Sequence, residues 1–104
     1  MMNLSSEAKR VIAEKDYILD SANFYEISTD TIHITNEDFT DPLVVFTLLH
    51  EIAHRHQIVF LKIDRLDIPK LELDANRLAI AGLMDFGIPI SKRIKRILNK
   101  RISK

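Results

Sequence analysis

The chain has no cysteine. Disulfides, cysteine-ligated zinc and thiol nucleophiles are excluded together, so any metal must be held by histidines and carboxylates. No apolar run is long enough to span a bilayer. Residues 1–10 lack the basic-then-apolar order of a secretory leader, so the expectation is a cytoplasmic protein with no membrane segment. Repeats, low-complexity tracts and domain linkers are also missing. At 104 residues the chain is expected to form one domain over 1–104, large enough to bury a core. Net charge is zero, yet the charges are unevenly placed. Residues 1–60 carry ten acids and four bases, and residues 61–104 carry five acids and eleven bases. The C-terminal part is thus expected to meet something acidic.

What is present centres on His50-Glu51-Ile52-Ala53-His54, inside the apolar run 43–60. This is H-E-x-x-H. On a helix the two histidines are one turn and about 40° apart, so they point the same way. Two such imidazoles can take adjacent corners of a zinc tetrahedron. Glu51 can then reach a water there as general base, which makes the motif a hydrolase proposal.

Around it the chain predicts mainly helices with a short β-hairpin, an α+β class. Ser5 or Ser6 can cap a first helix, expected over 6–22. Strands are expected over 24–28 and 31–35, with Thr29-Asp30 between them. In the second, Ile32 and Ile34 share one face and His33 takes the other. The hairpin is where a zinc hydrolase would keep an edge strand for an extended substrate. Asp41-Pro42 starts the motif helix, which is apolar nearly all round and so expected to be buried. Arg55, His56 and Gln57 mark its return towards water. Residues 60–69 show no clear period and are expected to form a loop. Pro69 opens a helix over 70–86, closed by Gly87. Ser91 caps a last, basic helix over about 91–104.

No histidine follows His56. A downstream third histidine, as in metzincins, is therefore excluded, and a carboxylate must complete the ligand set. Glu72 and Asp74 are the candidates. They lie about 160° apart on a helix, so only one can face the site. Asp74 shares the polar arc of Arg77 and Asp85. Glu72 stands among Ala75, Asn76, Ala79, Leu83 and Phe86, small or apolar residues that let helices approach. A carboxylate buried there needs a partner, and zinc would be one, so Glu72 is favoured.

His50-Glu51-Ile52-Ala53-His54, followed by Glu72-Leu73-Asp74-Ala75-Asn76-Arg77-Leu78-Ala79 and Leu83-Met84, resembles the ImmA/IrrE family of zinc metallopeptidases. Those proteins carry H-E-x-x-H and then roughly E-x-x-A-N/D-x-F-A. The resemblance covers about 31–89 and implies a small α+β zincin-like domain with Zn2+ on His50, His54 and Glu72. It also implies cytoplasmic cleavage of a protein substrate, commonly a DNA-binding repressor encoded on a phage or mobile element. Here Leu78 stands where phenylalanine is usual. The leucine-histidine pair often found after the second ligand histidine is absent.

Other residues carry two readings each. His33 can project into the cleft and stabilise an oxyanion, or sit solvated on its strand. Tyr17 and Tyr25 are alternatives for that role. Asn76, one turn after Glu72, can orient a ligand or lie on the helix surface. His56, about 200° from His54, is expected to be exposed. The tail bases Lys92, Arg93, Lys95, Arg96, Lys100 and Arg101, beside the stripe Ile94, Ile97, Leu98 and Ile102, suit either a solvated docked helix or a patch for nucleic acid or an acidic protein. The sequence thus points to a zinc metallopeptidase. Its rival is a non-catalytic metal-binding protein acting through the basic tail.

Overall fold

In a computed structural model of the chain, the residues described are 4–60, 68–88, 92, 95 and 96. They form three helices and a small three-stranded sheet, an α+β arrangement. The order is α1 (Leu4–Glu14), β1 (Ile18–Leu19), β2 (Phe24–Glu26), β3 (Thr31–Ile34), α2 (Pro42–Arg55), a π-helical segment (His56–Phe60) and α3 (Ile68–Asp85).

The first helix stops earlier than its apolar spacing predicts. Lys15 takes a left-handed φ of 52°. Its N–H bonds back to the Ile12 carbonyl at 3.3 Å, and the Asp16 N–H reaches Val11 at 3.0 Å. This pair of bonds is a Schellman stop. A left-handed lysine costs about 1–2 kcal/mol. Arg10, ion-paired with Glu7, Glu14 and Asp16, spans the turn that requires it.

The freed residues supply β1, which pairs parallel with β3 through Ile18 to His33 and Leu19 to Ile34. On the other side β2 pairs antiparallel with β3, Tyr25 opposite Ile32. The order is β1-β3-β2, so β3 is the central strand and not the edge. Ile32 and Ile34 face the core as the alternation predicts, at 4% and 1% exposure.

The second helix begins as its first two residues dictate. Asp41 accepts the Leu43 N–H at 3.0 Å, and Pro42 occupies a position where no amide hydrogen is needed. Val44–Phe46 and Leu48–Ala53 are all buried, so α2 is the central rod of the molecule. Helix α3 packs along it through Ala75, Ala79 and Leu83, each fully buried. A methyl group added at Gly82 would stand 2.8 Å from Leu49 Cδ2, so glycine permits the approach. Gly87, with φ 75°, ends α3 in a second Schellman stop, Ile88 to Leu83 at 3.0 Å and Gly87 to Met84 at 2.9 Å.

No helix among the described residues is long and apolar enough to cross a membrane. Lys92, Lys95 and Arg96 are helical and exposed. Arg93, Lys100 and Arg101, with most of the expected basic helix, lie outside the described residues, as does 61–67 of the expected loop.

Candidate metal centre

Helix geometry places His50 and His54 one turn apart on α2, their Nε2 atoms 3.0 Å from each other. From α3, Glu72 brings Oε1 to 2.9 Å from His54 Nε2 and Oε2 to 3.3 Å from His50 Nε2. These three are the one group of histidine and acidic side chains among the described residues whose donor atoms converge as a metal would need. A zinc tetrahedron with bonds of ~2.1 Å spaces its donors about 3.4 Å apart. The observed edges of 2.9–3.3 Å therefore need only a slight expansion. The donor set, two imidazoles and one carboxylate, also suits zinc. Asp74 is not in the group.

Glu72 differs from expectation in one respect. Its side chain is 42% exposed. It looks into an open cleft and not into the helix interface, so its neighbours Ala75 and Ala79 make the helix contact while Glu72 stands at its rim.

Electrostatics at the site run one way. Hydrogen bonds from His50 and His54, opposed in part by burial, hold the Glu72 carboxyl well below the usual carboxylate range. Burial pushes the His54 imidazole down. The Glu72 hydrogen bond and the charges of Glu51 and Glu72 outweigh it, so His54 is raised overall. Both shifts favour a protonated His54 beside an ionised Glu72.

The cleft has a volume of about 520 Å³. Glu51, 6% exposed, lines it with the three converging residues, and Phe24, Tyr25, Ile27, Ile58 and Leu71 give it apolar walls. Glu51 is not one of the converging donors.

The other candidates are placed differently. His33 is neither solvated nor in the cleft. At 7% exposure it is clamped between Asp20 Oδ2, 3.0 Å from Nδ1, and Glu26 Oε1, 2.9 Å from Nε2. Central strands place their neighbours on both sides, and this is why an alternation that marks a polar face does not mean water there. Tyr25 lines the cleft, but its hydroxyl donates to Asp30 at 2.7 Å. Burial and that bond push it up to about 12, so its proton is committed away from the cleft. Tyr17 donates to Glu37 at 2.8 Å and does not line the cleft. His56 is half-buried and outside the converging group. Asn76 is not on the surface. It is 1% exposed, and neither of its amide atoms has a hydrogen-bond partner among the described residues; nor does the buried Nδ1 of His50.

One residue escaped the sequence reading. Gln57, expected to turn towards water, is 1% exposed. Its Oε1 lies 3.1 Å from His54 Nδ1, and its Nε2 donates to the Leu71 carbonyl at 3.0 Å. The available signal was its spacing, three residues after His54, which puts both on one helical face. No family model, curated protein or solved structure matches the chain.

Proposed function

We propose that the chain is a zinc-dependent metallopeptidase with a small zincin-like fold, as its two motifs' resemblance to the ImmA/IrrE family implies. The observation that carries this reading is the convergence of His50, His54 and Glu72 at the floor of a cleft that Glu51 also lines. A cytoplasmic setting and a protein substrate of the DNA-binding repressor class belong to the same proposal and rest on the resemblance.

His50, His54 and Glu72 would hold the ion. Bound there, zinc would supply Lewis acidity towards a scissile carbonyl and a water nucleophile near neutral pH. Glu51 takes a proton from the attacking water onto its carboxylate and passes it to the leaving amine. The apolar walls seat side chains flanking the scissile bond and keep bulk water away from the Glu51 carboxylate.

Glu51→Gln tests this directly, since it keeps the size of the side chain and removes the base. Zinc content should stay at the wild-type level. Peptide hydrolysis should fall by roughly 10²–10⁴-fold, and the variant should retain its substrate uncut in a pull-down. Wild type and Glu51→Gln equally inert with zinc fully loaded would leave a metal-binding protein without turnover.

A further inference from the structure

We propose that Gln57 is a positioning residue that orients the His54 ring and ties it to the turn carrying Glu72; the proposal rests on the metal reading above. The Leu71 oxygen can only accept, so the group 3.0 Å from it must be the Gln57 amide nitrogen and not the amide oxygen. That fixes the orientation of the amide and turns Oε1 towards His54 Nδ1 at 3.1 Å. An amide oxygen also only accepts, so Nδ1 must carry a hydrogen. Nε2 is the atom left for a metal. It faces His50 Nε2 and, at 2.9 Å, Glu72 Oε1, which also only accepts, so in the metal-free site Nε2 carries a hydrogen too, and zinc would take that proton's place.

The same amide acts on the other helix. Leu71 immediately precedes Glu72 in α3, and the donated bond holds that turn against the end of α2. Gln57 belongs to the π-helical segment His56–Phe60, which begins two residues after His54. Such segments are rare and often found at functional sites. At 1% exposure, water cannot replace either bond cheaply.

Glutamine is the side chain that fits both duties. Leucine could make neither bond, and glutamate could accept from His54 but not donate to Leu71. The two imidazoles thereby differ. His54 is set before a metal arrives, whereas His50, whose Nδ1 has no hydrogen-bond partner among the described residues, is not held by a comparable bond.

The test is chelator-competition measurement of zinc affinity, with NMR of the zinc-loaded protein beside it. The His54 Nδ1–H should be visible and slow to exchange with solvent in wild type. In Gln57→Leu it should exchange fast, and zinc should bind about 10–100-fold more weakly. Gln57→Glu, which restores the acceptor, should recover the slow Nδ1–H and most of the affinity, while melting below wild type because the bond to Leu71 is gone. A fast-exchanging Nδ1–H in wild type, or Gln57→Leu binding zinc as tightly as wild type, would overturn the proposal and leave the metal reading intact. Wild type that binds no zinc would overturn the metal reading and the proposal with it. Should Gln57→Leu not fold, the spectra and affinities of wild type and Gln57→Glu decide it.

Discussion

The rings of Phe24 and His33 lie one over the other, their centroids 4.1 Å apart and their planes within 9°. Phe24 also lines the cleft, so the histidine that does not enter the cleft supports a residue that does. Because both ring nitrogens of His33 face carboxylates, one from the end of β1 and one from β2, the ring ties the three strands together.

His33→Leu should therefore lower the melting temperature by several degrees and leave zinc content unchanged. The acid dependence follows from the two carboxylates. Asp20 is lowered by the Ser21 N–H and then by His33, and Glu26 is lowered first by His33. A carboxyl lowered on folding contributes stability that is complete above the ordinary range, about 4, and is lost as pH falls through the lowered value. Urea unfolding of wild type should thus weaken more steeply below about pH 4 than that of His33→Leu. Parallel curves would mean that the clamp contributes nothing.

At the centre itself, Glu72→Ala should lose zinc by elemental analysis, while Asp74→Ala should keep it; the reverse result would move the ligand to the other arc of α3. Protons and zinc compete for Nε2 of His54, and that imidazole is raised. Zinc affinity should consequently decline as pH falls through the raised value and level off above it. Chelator competition across pH measures this, and an affinity independent of pH would show that no histidine is displaced from its proton.

The approach of α2 and α3 makes a further prediction. Gly82→Ala gains about 1 kcal/mol of helix propensity. It also puts a methyl group 2.8 Å from Leu49 Cδ2, in a side chain that is fully buried. Overpacking of this kind costs about 1–3 kcal/mol. The net should be a loss of about 1 kcal/mol in urea unfolding, shrinking when Leu49 is cut to alanine in the same chain. A Gly82→Ala protein more stable than wild type would show that the helices can part without penalty.

Much of this architecture is legible in the residues, and the reason is local. Asp41-Pro42 and Gly87 state where helices start and stop through their own backbone chemistry. The motif histidines follow from helical period, and the same period shows that only one of Glu72 and Asp74 can face them; Glu72 does so, though not through the burial its apolar arc predicts, since its side chain is 42% exposed. What is illegible depends on distant partners. Lys15 adopts a glycine-like conformation beneath Arg10 and its three acids. The two residues of β1 pair with a strand fifteen positions away. His33 shows its face through alternation, but Asp20 and Glu26 arrive from other strands. Gln57 is polar in an apolar run, and its role depends on a carbonyl fourteen residues on.

The close seat of Gly82 on Leu49 has a mechanical consequence. Two helices without a deformable layer between them move as one body, and this body carries both histidines, Glu51 and Glu72. The opposite bank is β2, three residues long and attached by hydrogen bonds to β3 alone within the sheet. The two banks of the cleft are therefore built differently, one from interlocked helices and the other from a three-residue strand.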